Sequence, residues 1–172
     1  MADDKLVALG KHYAAYGAAL GGLNGAPAEL SERTLREFYL HSWRAFAKAG
    51  GKGAMTAHNS VLGRPCHAHP WLVNEVFRKE FSFGDGIIVS DCNDIEALVD
   101  FRVAANITDA AAEALKGGVD LDLQCGSNSA YTQLATAMSD GLTNTSTLDI
   151  SVRRVRHKSL LDLTLMHCCQ QY

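Results

Sequence analysis

Residues 86–91 read Gly-Ile-Ile-Val-Ser-Asp, a short apolar run that ends in a carboxylate. The β-branched residues stand side by side without polar alternation, which is typical of a strand covered on both faces. Strands of that kind belong to parallel sheets with helices packed against them. The run therefore predicts a buried parallel strand with Asp91 at its C-terminal end.

Further short apolar segments on either side of this run predict three more strands, at Leu6–Gly10, Ala54–Ala57 and Val119–Leu123. Helical spacing of apolar residues, together with glycine stops, predicts helices between and after the strands. The predicted helices cover 31–51, the segment after Pro70 that contains Leu72, Val76 and Phe77, 109–118 with Thr108 as N-cap, 128–140, and 147–165. The chain thus contains about four strand-then-helix units, the order that builds a parallel sheet with right-handed crossovers.

The fold class indicated is α/β, as one domain over residues 1–172. A complete (β/α)8 TIM barrel takes about 250 residues, so four units indicate part of such a barrel or a small open sheet. Periodicity alone does not choose between them. Polar residues fall at or near the ends of the predicted strands, where barrels assemble their chemistry: Lys11, His12, His58, Asn59, Asp91, Asp122 and Gln124.

Composition narrows the function classes. The chain is 47% hydrophobic and 20% charged, which is typical of a soluble globular protein, and it has no apolar run long enough to cross a bilayer. A net charge of -3 provides no basic face for nucleic acid. The opening residues 1–13 have no signal-peptide pattern. We expect neither nucleic acid nor a membrane as a partner.

The five cysteines are an odd number, so at least one thiol stays free or pairs outside the chain. They lack the CxxC pairs typical of zinc sites, and the sequence favours buried or free thiols over a disulfide framework. The cysteines are Cys66, Cys92, Cys125, Cys168 and Cys169.

Around Asp91 the sequence FSFGDGIIVSDCNDIEAL resembles the segment of glycoside hydrolase family 3 in which a strand ends in Ser-Asp-Trp or Ser-Asp-Cys. Four more segments resemble that family in the same order and with compatible spacing. They are GKHYAAYG, similar to its Lys-His-Phe motif; SERTLREFYLHSWRAFAKAG, similar to its next helix; AMTAHNSVLGRPCHAHPWLVNEVFRKEF, similar to its Tyr-Asn-x-x-Asn-Gly-x-Pro stretch; and AAAEALKGGVDLDLQCG, similar to its Gly-x-Asp-Leu-x-Cys-Gly segment.

The resemblance implies an exo-acting retaining β-glycosidase of the β-xylosidase or β-glucosidase type. It makes Asp91 the nucleophile and Lys11, His12 and His58 contacts to the hydroxyls of a β-linked sugar. A carboxylate suits the role because it can attack the anomeric carbon while a second carboxyl group protonates the leaving oxygen. Without the resemblance, Asp91 would equally fit as the cap of a following helix.

Two residues depart from the family pattern. His58 stands where the family usually has Tyr, and Leu62 replaces the usual Asn before Gly63. Both departures count against native activity. Cys66, His67 and His69 carry zinc-ligand side chains, but the resemblance places them in a loop after a strand and specifies no further ligand. We expect no metal and no cofactor.

The family commonly draws its acid/base carboxylate from a following domain, and further sugar-binding residues from earlier strands. Neither region is recognisable in this chain, so we expect little activity from it alone, and self-association or a missing barrel half as a partner. The alternative is a noncatalytic remnant that binds sugar weakly or assembles with another chain. The family resemblance suggests a secreted or extracellular location.

Overall fold

The computed structural model describes residues 7–126 and 129–159. Its centre is a parallel sheet with the strand order β1-β2-β5. A small antiparallel hairpin, β3 with β4, follows β2. The strands are β1 Leu9–Tyr13, β2 Gly53–Thr56, β3 Ser60–Val61, β4 Arg64–Pro65 and β5 Ile87–Val89.

Helical segments connect and follow the strands, as the parallel α/β prediction requires. The α-helices in the described residues are α1 Glu32–Thr34, α2 His41–Lys48, α3 Ala97–Asp100, α4 Ile107–Gly117, α5 Leu134–Ser139 and α6 Thr145–Ser159. Two π-helices cover Leu35–Tyr39 and Trp71–Glu80, and 3-10 turns cover Tyr16–Ala18, Leu20–Gly22, Cys66–Ala68 and Ala130–Gln133. Among the described residues, no helix combines the length and the apolar character that crossing a membrane requires.

The helix predicted after Ser31 is confirmed, with a change of winding inside it. The Ser31 side chain accepts a hydrogen bond from the backbone N–H of Thr34 at 3.1 Å and caps α1. The chain then passes through one π-helix into α2, and Gly50 follows with φ 86°. The strand predicted at residues 86–90 is confirmed as β5, and Ile88 at its centre is fully buried.

β1 lies further along the chain than predicted. It covers Leu9–Tyr13 rather than Leu6–Gly10, and residue 6 lies outside the described residues. Lys11 and His12 are therefore part of the strand instead of following it. The physical reason is Tyr13, a fully buried aromatic residue whose packing extends the strand into the core.

The fourth strand, predicted at Val119–Leu123, is reduced to a single parallel bridge between Val89 and Leu121. Asp120 explains the difference. Its Oδ2 accepts the Ile88 backbone N–H at 2.9 Å, a donor that a regular neighbouring strand would use for its own ladder.

The N-cap predicted at Thr108 is wrong. α4 begins at Ile107, and the side chain of Asn106 accepts the backbone N–H of Asp109 at 3.0 Å. The helix ends at Gly117, and Gly118, with φ 99°, caps its C-terminus.

The two closing helices differ from their predicted bounds. The helix expected over 128–140 is a 3-10 turn followed by α5, and residue 128 lies outside the described residues. The helix expected over 147–165 begins at Thr145, and its residues beyond 159 lie outside the described residues.

The core between the sheet and the helices contains a stack of aromatic rings. The ring centroids of Tyr13 and Phe77 are 4.3 Å apart, and those of Phe77 and Phe83 are 4.1 Å apart. The Tyr13 hydroxyl donates to the Leu72 carbonyl oxygen at 2.8 Å, so this buried polar group is satisfied. The stack fixes β1 against the second π-helix and β5.

The sheet has two open edges within the described part of the chain. β1 pairs with β2 alone, and the opposite side of β5 has only the bridge to Leu121. Leu9 and Leu121, at these two edges, are 40% and 43% exposed. Exposed strand edges with apolar residues favour pairing with another chain segment.

Candidate active site

Asp91 follows β5, and the backbone of the next residue holds its carboxylate. Its Oδ1 accepts the backbone N–H of Cys92 at 2.8 Å, and its side chain is 13% exposed. The alternative role as a helix cap is wrong, because α3 begins only at Ala97. Oδ2 is thus left to face the neighbouring strands.

Two histidines from two other strands reach that oxygen. The Nε2 atom of His12, in β1, lies 3.2 Å from Asp91 Oδ2, and the Nε2 atom of His58, after β2, lies 3.3 Å from it. The C-terminal ends of three adjacent parallel strands therefore bring three of the four expected site residues into contact.

The fourth expected residue, Lys11, stands beside His12 in β1 without touching the carboxylate. It is exposed and lines a shallow depression with Tyr16, Phe38 and Trp43. No hydrogen bond or ion pair joins it to Asp91 in the described structure. Burial lowers the pKa of His12, the Lys11 cation lowers it further, and the Asp91 carboxylate opposes both effects.

Asp94 is a member of this cluster that the sequence analysis missed. Its Oδ1 makes a short contact with Nδ1 of His58, and its side chain is 4% exposed. Burial raises the pKa of Asp94 to about 6, while its interaction with His58 works in the opposite direction. A histidine has a second ring nitrogen that Tyr lacks, and this nitrogen needs a hydrogen-bond partner. That requirement was the one sequence signal that could have indicated a nearby carboxylate such as Asp94.

His67 lies behind Asp94, fully buried. Its Nδ1 is 3.7 Å from Asp94 Oδ2, too far for a hydrogen bond, and burial lowers the pKa of His67 to about 4. His69 is also buried, with its pKa lowered to about 4 by burial. Both rings are therefore neutral at neutral pH.

Tyr16 adds an aromatic face to the rim, which the sequence analysis also missed. Its ring centroid lies 4.8 Å from that of His12 and 6.4 Å from that of His58. Its hydroxyl donates to Asn24 Oδ1 at 3.0 Å. A ring that is 39% exposed beside polar groups offers the mixture of apolar surface and hydrogen bonding typical of small-molecule sites.

A disulfide links the segment after β5 to the segment after the Val89–Leu121 bridge. It joins Cys92 to Cys125, so the expectation of free thiols is wrong for these two residues. The expectation of a free thiol is confirmed for Cys66, which is buried. Burial raises the pKa of this thiol to about 12. Cys168 and Cys169 lie outside the described residues.

Asp122, expected at the rim, is bound to its neighbours rather than to Asp91. Its carboxylate accepts from the Ser129 hydroxyl at 2.5 Å and from the Tyr131 backbone N–H at 3.2 Å. The Ser90 hydroxyl donates to it at 3.3 Å. These bonds attach the segment after the bridge to the end of β5.

Leu62, the second departure from the family pattern, occupies the turn of the β3–β4 hairpin. Its φ is 51° and that of Gly63 is 76°, both in the left-handed region. Two-residue hairpin turns with positive φ at both positions favour Asn-Gly. The backbone of Leu62 is therefore strained, and the residue is 41% exposed.

The sequence is similar to proteins of known family over most of its length. The family described as "Glycosyl hydrolase family 3 N terminal domain" matches residues 1–157. A β-xylosidase of Formosa agariphila is 41% identical over 73% of this chain and 18% of that protein. A periplasmic β-glucosidase of Salmonella typhimurium is 39% identical over 66% of this chain and 15% of that protein.

The fold is similar to that of a solved relative. The β-glucosidase of Listeria innocua in complex with isofagomine superposes with a TM-score of 0.85 at 33% identity, over 91% of this chain and 22% of that one. This chain thus spans about a fifth of the length of such relatives. The predicted family is confirmed: the chain belongs to glycoside hydrolase family 3, in the region of its N-terminal domain.

Proposed function

We propose that this chain supplies the nucleophile and part of the sugar-binding rim of an exo-acting retaining β-glycosidase, of the β-xylosidase or β-glucosidase type. The observation that carries the proposal is the approach of His12 and His58 to Asp91, at 3.2 and 3.3 Å. Three residues that the family pattern assigns to one site are adjacent in space although the chain separates them by up to 79 positions (91 − 12).

The proposed mechanism begins with attack of Asp91 on the anomeric carbon of a β-linked glycoside. A general acid protonates the leaving oxygen, and water later releases the covalent glycosyl intermediate. Lys11, His12 and His58 serve as substrate contacts. The acid is proposed to come from outside this chain.

The proposed architecture is a partial (β/α)8 barrel within one domain over residues 1–172, completed by a second barrel half or by self-association. The open edge of β1 and the exposed Leu121 support this, because unpaired strand edges favour pairing. A secreted location is proposed as well. The disulfide supports it, because such bonds persist in oxidising compartments, and one relative is named as periplasmic.

A second candidate function is a noncatalytic remnant that binds sugar weakly or assembles with another chain. It is favoured by the two departures from the family pattern, His58 in place of the usual Tyr and Leu62 in place of the usual Asn.

The test is covalent trapping with a 2-fluoro glycosyl fluoride, whose leaving group needs little acid assistance. We expect mass spectrometry to locate the adduct on Asp91. The Asp91→Asn variant, which removes the charge with little change of shape, should give no adduct. An unlabelled wild-type chain, with native circular dichroism, would favour the remnant. An adduct on another carboxylate would reject Asp91 as nucleophile.

A further inference from the structure

His58 lies between two carboxylates that differ in burial. Its Nε2 faces Asp91 Oδ2 at 3.3 Å, and its Nδ1 makes the short contact with Asp94 Oδ1. The side chains of His58, Asp91 and Asp94 are 21%, 13% and 4% exposed. A neutral imidazole has one N–H and one lone pair, so it cannot donate to both carboxylates at once.

We propose that Asp94 is a positioning residue that acts through His58: it accepts the Nδ1 proton and leaves the Nε2 lone pair facing Asp91 Oδ2, so that these two acceptors need a donor from the sugar-binding rim. The inference rests on the proposed function of Asp91 and deepens it. It assigns His58 the role of hydrogen-bond acceptor, where the family's usual Tyr would also offer a proton.

The hydrogen-bonding needs of Asp94 support this assignment. Its Oδ2 has no hydrogen-bond partner in the described structure, so its Oδ1 contact with His58 is the one that compensates for its burial. Burial raises the pKa of Asp94 to about 6, so above that pH the group is a carboxylate and can only accept. The proton between the two residues then belongs to Nδ1.

The other ionisable groups around Asp94 do not replace His58 as a donor. The Nδ1 atom of His67 lies 3.7 Å from Asp94 Oδ2, beyond hydrogen-bond distance, and the Cys66 thiol donates to the carbonyl oxygen of Ala14 at 3.6 Å. The remaining neighbours in its electrostatic environment are carboxyl groups, Asp91 and Glu96. The element after β2 therefore provides the one matched donor, from His58.

The consequence for substrate binding is a division of roles at the rim. Lys11 offers an ammonium group and His12 an N–H, both donors, whereas the Nε2 lone pair of His58 accepts from a sugar hydroxyl. Each hydroxyl of a sugar both donates and accepts, so a site with both kinds of partner orients it better than donors alone. Asp94 sets this polarity without touching the sugar.

The test reads the protons of the His58 ring directly. Long-range ¹H–¹⁵N spectra of the labelled full chain at pH 8, assigned with a His58→Gln variant, distinguish Nδ1–H from Nε2–H. We expect Nδ1–H in the wild type. In Asp94→Ala the proton should move to Nε2, because the tautomer is set by the hydrogen bond of the other nitrogen. Asp94→Asn should keep Nδ1–H, since its amide oxygen can still accept.

Asp140→Ala, which removes an exposed carboxylate away from the site, is the matched control and should leave the His58 signals unchanged. If the chain associates into particles too large for solution spectra, magic-angle spinning gives the same readout. Nε2–H in the wild type, or identical His58 signals in the wild type and Asp94→Ala, would overturn the proposal. An adduct on another carboxylate in the trapping experiment would reject the role of Asp91 and leave the tautomer result standing.

Discussion

The backbone of Leu62 is strained, and a single substitution can relieve that strain. With φ at 51°, this branched side chain occupies a region that costs most L-residues about 1–2 kcal/mol and that Asn tolerates better. We expect Leu62→Asn to raise the unfolding free energy by about 1 kcal/mol in urea denaturation. Leu23→Asn is the control, because Leu23 is exposed but has an ordinary φ of -82°. An equal effect in both variants would mean that polarity, not backbone strain, is responsible.

Buried histidine makes stability depend on pH. The pKa of His67 is about 4 when folded and near 6.5 when unfolded, so the unfolded chain binds the extra proton as pH falls through 6.5. The contribution of the neutral His67 ring to the unfolding free energy is present above pH 6.5 and is lost as the pH falls toward 4. His69 acts in the same direction, and Asp94, with its raised pKa, acts in the opposite one.

We therefore expect the unfolding free energy to be lower at pH 5 than at pH 7, and His67→Leu to reduce that difference by about 2 kcal/mol. Urea unfolding of both proteins at the two pH values measures it. The same pH dependence in wild type and variant would show that His67 is not buried as a neutral ring.

At the scale of elements, Asp120 joins β5, the second π-helix and α6. Its carboxylate accepts from Arg78 at 2.5 Å and from Arg154 at 2.9 Å, in addition to the Ile88 backbone N–H. Asp120→Ala leaves two guanidinium groups without their buried anion and should cost about 3–5 kcal/mol in unfolding free energy.

Asp85 provides the comparison for this prediction. It lies 3.8 Å from Arg154 but is 66% exposed, so Asp85→Ala should change stability by less than about 0.5 kcal/mol. Chemical denaturation monitored by tryptophan fluorescence gives both values. A loss below about 1 kcal/mol for Asp120→Ala would indicate that the arginines find other partners.

The elements also show what sequence can predict. A run of β-branched residues located β5, and apolar spacing with glycine stops located the segment that contains α2, because these signals are local. The contacts His58–Asp94 and Ser90–Asp122, 36 and 32 positions apart, are set by strand adjacency and leave no local pattern. For the same reason, the motifs predicted Asp91, His12 and His58 but not the buried carboxylate behind them.

For the whole molecule, the open sheet edges and the single proposed catalytic carboxylate lead to one joint prediction. The isolated chain should associate, because Leu9 and Leu121 lie exposed at unpaired edges, and light scattering should report a mass above that of the monomer. It should also hydrolyse aryl β-glycosides very poorly, since a retaining mechanism needs a positioned general acid as well as a nucleophile.

Turnover of aryl glycosides by the purified chain tests the second part. A stable monomer that works at ordinary enzyme rates would contradict the prediction and would require an acid within these residues. Addition of a separately produced barrel half that restores turnover would support the division of the site between two segments.

The bond between Cys92 and Cys125 bears on how this molecule should be made. Cys92 is the residue whose backbone N–H holds Asp91, so the state of this sulfur pair bears directly on the proposed nucleophile. A bacterial cytoplasm keeps thiols reduced, and in material purified from it the segment with the proposed nucleophile would begin without this disulfide. Export to an oxidising compartment, or refolding with a glutathione couple, is therefore the appropriate preparation, and a thiol count on the product reports whether the disulfide has formed.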